Sequence, residues 1–123
     1  MSFCYINGSY KNNINALISV EDRGFNFSDG VYEVIGFRDG KVLNFERHLK
    51  RLYKSLIDLQ IRRPFSNQNS LKIIIYHLLK LNDVNNGFLY LQITRGTAKR
   101  NHLFPSKINP NIVIFTFSKI GLD

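Results

Sequence analysis

Residues 21–34 read EDRGFNFSDGVYEV and decide more about the fold than any other stretch of the chain. Two glycines, three aromatic residues and four acids stand in an order that neither a helical nor a strand period generates. At its end, alternation from Val31 onward predicts a strand with two different faces. We therefore expect Tyr32 to face a cleft beside Gly36, and Glu33 to face the opposite way as a structural residue.

Two tight turns flank this stretch. The dipeptides Asn7-Gly8 and Asp39-Gly40 each separate two runs of apolar and aromatic residues. Both dipeptides accept the positive φ angles of a two-residue turn, so each predicts an antiparallel hairpin. Residues 24–30, which are bounded by two glycines, are predicted to form a loop between the hairpins.

Two apolar stripes at helical spacing predict two amphipathic helices. The first follows Asn44, a predicted N-cap, and the second ends near residues 85–87, which read NNG. Residues 62–69 contain a proline and several polar side chains, and they predict a connector between the helices. The stripes consist of Phe45, Leu49, Leu52, Leu56 and Leu59 in the first helix and of Leu71, Ile74, Ile75, Leu78 and Leu81 in the second.

Two further strands are predicted after the helices. Residues 89–94 alternate in polarity, whereas residues 112–117 form an apolar run typical of a strand at the centre of a sheet. The loop of residues 96–110 between them is polar and carries two prolines. This order predicts an α+β fold, a two-layer domain with a largely antiparallel sheet and both helices on one face. We expect residues 1–123 to form a single domain.

Composition narrows the classes of function. The 123 residues are 44% hydrophobic and 21% charged, which is typical of a globular domain. The net charge is +8, but the 17 lysines and arginines are scattered among nine acids, so we expect solvated surface and no nucleic-acid partner. A single cysteine, Cys4, and the absence from the sequence of any apolar run of membrane-spanning length predict a soluble cytoplasmic protein with no membrane partner.

Three segments together resemble a known family. They are residues 21–34, HLKRLYKS at 48–55 and ITRGTAKRNHLFP at 93–105. In the same order they are similar to the N-terminal half of the fold-type IV pyridoxal-phosphate enzymes, and most similar to the D-amino acid aminotransferases. The resemblance covers nearly the whole chain. It implies transamination of D-alanine and other D-amino acids with 2-oxoglutarate, pyridoxal 5'-phosphate as cofactor, and a homodimer.

Arg51 and His48 are the predicted cofactor-binding residues. With Ser55 they form a polar edge beside the first leucine stripe, where spacing alone also fits an arginine that only extends into solvent and a histidine at the edge of the core. A guanidinium presents a planar pair of donors suited to two phosphate oxygens. The resemblance implies that Arg51 binds the cofactor phosphate and that His48 lies near the same pocket.

Tyr32, Arg100 and His102 are the predicted substrate-binding residues. From the residues alone, Tyr32 fits a buried aromatic as well as a cleft residue, and the other two fit a mobile basic loop. Two donors two positions apart on an extended loop can nevertheless converge on one carboxylate. The resemblance implies that Tyr32 lines the substrate site, and that Arg100 and His102 trap the substrate carboxylate across a homodimer interface.

No catalytic residue is assigned, because the resemblance places the cofactor-bearing lysine of the family beyond Asp123. Pyridoxal-phosphate chemistry needs a lysine amine and an acid that pairs with the pyridine nitrogen. None of the nine lysines stands in a matching context. We therefore expect the chain to lack the C-terminal cofactor-binding domain of the family.

Three hypotheses about function remain open. The favoured one is a truncated or split D-amino acid aminotransferase that is inactive as this chain alone. In the second, a separate chain supplies the C-terminal half and restores activity. In the third, a repurposed domain uses Arg51, Arg100 and His102 to hold a small anion or an acidic partner. Apolar surface left uncovered by the absent half predicts a homo-oligomer.

Overall fold

Six strands form one sheet, and two long helices pack against it. The computed structural model describes residues 2–105 and 107–118. In chain order its elements are β1 (Phe3–Ile6), β2 (Ser9–Asn12), a 3-10 turn (Asn13–Asn15), α1 (Arg23–Phe27), β3 (Gly30–Arg38), β4 (Lys41–Val42), α2 (Phe45–Asp58), α3 (Gln68–Asn82), β5 (Gly87–Thr94) and β6 (Asn111–Phe117). The strand order in the sheet is β2-β1-β6-β5-β3-β4. Every pairing among the described strands is antiparallel, which confirms the predicted α+β fold.

The core lies between the sheet and the two long helices. Its centre is almost fully buried and consists of aliphatic side chains from β5, β6, α2 and α3, among them Leu52, Leu71, Ile75, Leu78, Leu89, Leu91, Ile93, Ile112 and Ile114. The central place of β6 explains its apolar sequence, as predicted. Leu59 and Leu81, the last members of the two predicted stripes, remain more than a third exposed.

Both predicted hairpins are present. Asn7 and Gly8 join β1 to β2 with φ angles of 47° and 95°, and Asp39 and Gly40 join β3 to β4 with φ angles of 52° and 74°. Two successive residues with positive φ form the turn that matches the twist of paired strands. The turn chemistry read from the sequence therefore sets the register of both ends of the sheet.

The helix ends differ in detail from the predictions. Asn44 stands at the N-cap of α2, but it has a left-handed backbone (φ 55°) and its side chain makes no capping hydrogen bond. Helix α3 begins at Gln68, inside the predicted connector, because the side chains of Asn67 and Ser70 form a reciprocal capping box. It ends at Asn82, earlier than predicted, where Asp83 adopts the left-handed conformation.

The predicted loop at residues 24–30 contains the short helix α1. Asp22 caps this helix by accepting hydrogen bonds from the backbone N–H groups of Gly24 (2.7 Å) and Phe25 (3.2 Å). A Cβ atom at Gly24 would lie 2.4 Å from Thr94 Cγ2, and one at Gly30 would lie 2.7 Å from the carbonyl oxygen of Ile93. The two glycines therefore let α1 and the start of β3 approach the end of β5.

Within the described part of the chain, no helix has the length and apolar character needed to cross a lipid bilayer. The only cysteine of the sequence, Cys4, is buried in β1, and its thiol donates a hydrogen bond to Asn13 Oδ1 at 2.8 Å. Burial raises the pKa of this thiol. Cys4 is therefore a packed structural residue.

Candidate functional site

Glu33, His48 and Arg51 form a compact ionic cluster where β3 meets α2. The carboxylate of Glu33 is 4% exposed and lies on the helix side of the sheet. Its Oε1 accepts from Arg51 Nη2 and contacts His48 Nδ1, both at 2.7 Å, while its Oε2 accepts from Arg51 Nε at 2.9 Å. The pattern of residues 48 and 51 on one flank of α2 thus brings both predicted cofactor-binding side chains onto one carboxylate.

This cluster favours the charged forms of Glu33 and Arg51. Burial by itself would raise the pKa of Glu33, but the hydrogen bonds and charges of Arg51 and His48 outweigh it, and the pKa of Glu33 is lowered. The hydrogen bonds that Arg51 donates to Glu33, followed by the charge of that carboxylate, raise the pKa of the Arg51 guanidinium. Glu33 therefore stays ionised and holds Arg51 in one orientation. The sequence identified Glu33 as structural but missed this positioning role.

Arg51 keeps donors available for a ligand. A guanidinium has five N–H groups in one plane. Glu33 uses the Nε hydrogen and one Nη2 hydrogen, which leaves both Nη1 hydrogens and the second Nη2 hydrogen. The side chain is 64% exposed. The edge formed by Nη1 and Nη2 is therefore open to a phosphate oxygen pair from solvent, and the site fits a phosphate in charge and shape.

Tyr32 lies on the opposite face of the sheet from Glu33, as the alternation predicted. It is 62% exposed and stacks on Tyr90 with ring centroids 5.7 Å apart. Tyr90 stacks in turn on Phe115 at 5.0 Å, and Phe115 lies 6.3 Å from Phe117. An aromatic row therefore crosses β3, β5 and β6 on the face away from the helices. We call these four residues with Phe88, which stacks on Phe117, the aromatic face.

Arg100 and His102 lie together on the loop that follows β5. Both are exposed, and both contact the ring of Phe27 in α1. The guanidinium carbon of Arg100 lies 5.1 Å from the Phe27 centroid, and the His102 ring lies 5.3 Å from it. The structure thus brings the two predicted carboxylate-binding residues to one aromatic side chain of the same chain.

A buried ionic network beneath this loop was missed by sequence reasoning. Asp29 Oδ2 accepts from Arg23 Nε at 2.9 Å and from Arg95 Nε at 2.7 Å, and all three side chains are less than a tenth exposed. Burial would raise the pKa of Asp29, but the hydrogen bonds and charges of Arg95 and Arg23 lower it. Arg95 directly follows β5, and this position after an apolar strand was the signal that it is buried.

Two cavities lie close to this network. A cavity of about 280 Å³ on the face that carries Tyr32 is lined by Phe25, Gln92 and Val113, among others, and Gln92 pairs with Tyr32 in the sheet. A larger one of about 540 Å³ lies between the end of α2 and the loop after β5. Neither lining contains any of the five predicted site residues. Size alone therefore does not identify the candidate site.

A family model described as amino-transferase class IV matches residues 30–119, which include Glu33, His48, Arg51, Arg100 and His102. The chain belongs to the class IV aminotransferase family. The match begins at the first residue of β3 and runs through β6. It therefore includes both the ionic cluster and the loop after β5.

Curated relatives of this class IV aminotransferase chain are D-alanine aminotransferases. The chain is 37% identical over 119 residues to the protein of Staphylococcus haemolyticus, and this match covers 96% of the chain and 42% of the relative. It is 38% identical over 111 residues to the protein of Bacillus licheniformis, covering 90% of the chain and 39% of the relative. The chain thus spans less than half the length of the curated relatives that it matches.

Solved class IV structures share the fold at lower sequence identity. The branched-chain amino acid aminotransferase of Escherichia coli superposes with a TM-score of 0.87 at 16% identity, over 95% of this chain and 40% of that one. The branched-chain enzyme of Thermoproteus uzoniensis, solved with norvaline, gives 0.80 at 16%, with the same coverage. A further branched-chain enzyme, solved with N-(5'-phosphopyridoxyl)-L-glutamate, gives 0.86 at 16%, again over 95% of this chain and 40% of that one. These likenesses establish the fold.

Proposed function

We propose that this chain supplies one side of the active site of a pyridoxal-phosphate-dependent D-amino acid aminotransferase, whose reaction transfers the amino group of D-alanine to 2-oxoglutarate. The observation that carries the proposal is the Glu33-held guanidinium of Arg51, with its Nη1 and Nη2 edge open to an anion. The two relatives described above, both D-alanine aminotransferases, support the choice of substrate class. A free, buried thiol supports a reducing compartment such as the cytoplasm.

Their contacts support the roles that we propose for the cofactor-side residues. Arg51 would bind the phosphate group of pyridoxal phosphate through its open edge. His48 Nδ1 contacts the same Glu33 oxygen, Oε1, as Arg51 Nη2, so His48 helps to restrain that carboxylate. When bound, the cofactor supplies the electron sink that transamination requires. This chain's own part is to fix the position of the phosphate.

The substrate-side residues would either donate hydrogen bonds to the substrate or line its pocket. Tyr32 would line the substrate pocket with its exposed ring, which Tyr90 supports from behind by stacking. Arg100 and His102, which share contact with the Phe27 ring, would bind the substrate carboxylate. Their exposure on one loop favours a site completed by another subunit, and hence a homo-oligomer.

The lysines support the proposal that the chain alone is inactive. A lysine that links covalently to a carbonyl cofactor is typically desolvated or placed beside another cation, so that its amine is neutral. In the described part of the chain, every lysine but Lys72 is exposed, and the half-buried Lys72 has its amine 5.1 Å from the Phe45 centroid. Lys119 lies outside the described residues. We therefore assign no catalytic lysine among the described residues.

The aromatic face favours a second version of the same proposal. Tyr32 and Phe117 are 62% and 39% exposed, and the rings between them form one continuous apolar surface. Surfaces of this kind mark interaction sites. A separate chain that supplies the remaining part of the site would account for it. In a third version the chain retains Arg51, Arg100 and His102 only to hold a small anion.

The proposal is tested by mapping anion binding onto the chain. Inorganic phosphate and pyridoxal phosphate are titrated into isotope-labelled protein while backbone chemical shifts are recorded. One charge-assisted hydrogen-bond pair contributes about 1.5–3 kcal/mol, so we expect only millimolar or weaker affinity, centred on residues 48–55 of α2. Arg51→Lys keeps the charge but loses the fork, and it should abolish these shifts. Arg47→Lys, one turn earlier on the same helix and exposed, is the matched control. Equal shifts in the two variants would contradict the proposal.

A further inference from the structure

Arg23 is the most deeply buried cation of the described residues and has no part in the proposed binding contacts. It is 2% exposed, and its Nε donates to Asp29 Oδ2 at 2.9 Å. Its Nη1 donates to the backbone carbonyl oxygen of Asn101 at 2.6 Å. Asn101 stands between Arg100 and His102, so this one hydrogen bond fixes the backbone at the centre of the pair that we propose as carboxylate binders.

The aromatic rings of Phe27 and Phe104 connect Arg23 to the same loop. The guanidinium carbon of Arg23 lies 4.6 Å from the centroid of Phe27, the ring that also contacts Arg100 and His102. The Phe104 centroid lies 5.7 Å from the guanidinium carbon of Arg23 and 3.9 Å from that of Arg95. The series of contacts runs from Arg95 through Phe104, Arg23 and Phe27 to Arg100, so that each cation lies beside an aromatic ring. Each of these cation–π contacts is attractive.

Arg95, at one end of this series of cations and rings, is hydrogen-bonded to the end of helix α2. Arg95 shares Asp29 with Arg23, and it donates from Nη1 to the carbonyl oxygen of Gln60 at 3.0 Å and from Nη2 to that of Leu59 at 2.6 Å. Leu59 is the C-cap of α2, the helix that carries Arg51. The network therefore connects the proposed phosphate side of the site to the proposed carboxylate side.

From these contacts we infer that Arg23 is a positioning residue, which holds the loop of residues 100–104 in the conformation that binds a substrate carboxylate. The inference rests on the proposed function. Only an arginine meets all the requirements, because its planar fork reaches Asp29 and Asn101 at once while its faces lie against Phe27 and Phe104. A lysine keeps the charge but offers a single donor group with no planar face.

The test compares Arg23→Lys with Arg63→Lys. Arg63 is a matched control, since it too donates to two acceptors, in its case two backbone carbonyls, and lies over two rings, those of Tyr53 and Phe65, away from the loop. Backbone order parameters from nuclear magnetic resonance are measured for residues 100–104. We expect them to fall from about 0.85 to below about 0.6 in Arg23→Lys, with β5 and β6 unchanged, and to stay unchanged in Arg63→Lys.

A binding measurement separates positioning from general support. In Arg23→Lys we expect 2-oxoglutarate to bind the loop about tenfold more weakly, while the shifts that phosphate causes on α2 keep their wild-type affinity. Loss of both affinities, or an unchanged loop, would overturn the inference.

If Arg23→Lys does not fold, Phe27→Leu decides, because it loosens the same loop without burying an unpaired charge. An ordered loop in Phe27→Leu would overturn the inference. A wild-type loop that is ordered through Arg23 but binds no carboxylate would contradict the proposed function and leave the positioning role standing.

Discussion

At the scale of single residues, two buried carboxylates hold three of the eight arginines of this chain. Glu33 receives Arg51 and His48 on one side of β3, and Asp29, just before β3, receives Arg23 and Arg95. Both acids are less than a tenth exposed, so each would be costly to leave without its partners. Their effects on stability can be separated by substitution, because Glu33 faces an exposed arginine and Asp29 faces two buried ones.

Asp29→Asn should be strongly destabilising. The substitution leaves two buried guanidinium groups without their shared anion, and breaking a buried ion pair on one side costs about 3–5 kcal/mol. The free energy of unfolding, measured by urea denaturation, should fall by about that amount. The control is Asp58→Asn, which removes an exposed partner of Lys54 and should change the value by less than about 0.5 kcal/mol. Similar losses in the two variants would show that the Asp29 network adds little.

Glu33 should make stability depend on pH in the acid range. The pKa of Glu33 is lower in the folded chain than its ordinary value of 4.5, so its contribution is fully present above about that pH and is lost as the pH falls through the folded-state value. Protonated glutamate resembles glutamine. The difference in unfolding free energy between wild type and Glu33→Gln should therefore be largest above about pH 5 and shrink toward about pH 3. A difference that stays constant over this range would contradict the assigned cluster.

At the scale of elements, the two long helices start by different devices. Helix α3 has a side-chain capping box, whereas Asn44 before α2 contributes only a left-handed backbone. Asn67→Ala should cost about 1 kcal/mol. Asn44→Gly should be close to neutral, because glycine adopts φ 55° without strain. Thermal unfolding of the two variants checks this, and a larger loss for Asn44→Gly would contradict the difference in capping.

The elements also show what the sequence could predict. Periodicity and turn dipeptides predicted every hairpin, long helix and central strand, because those signals are local. Helix α1 was missed, since five residues are too few to show a period. The Asp29 network was missed as well, because Arg23 and Arg95 are far apart in the sequence and their burial depends on how α1 packs against the end of β5. For the candidate site, the sequence alone left each residue ambiguous, and the resemblance supplied the roles, which remain predictions.

At the scale of the whole molecule, the aromatic face predicts self-association. Its rings form a continuous apolar surface across three strands, and such surfaces favour association in water. Sedimentation at about tens of micromolar protein should show a dimer or higher oligomer. Phe115→Lys places a charge in the middle of this face and should shift the equilibrium toward monomer. A wild-type chain that is monomeric at this concentration would contradict the prediction.

The central claim is that this chain holds one side of an aminotransferase site and does not catalyse the reaction by itself. The most direct test adds pyridoxal phosphate, reduces the mixture with borohydride, and maps the label by digestion and mass spectrometry, with D-alanine and 2-oxoglutarate turnover assayed in parallel. Because Arg51 alone contributes about 1.5–3 kcal/mol, less than the cost of immobilising the cofactor, we predict no lysine labelled stoichiometrically and no turnover. A single lysine labelled stoichiometrically, together with measurable turnover of D-alanine, would contradict the claim.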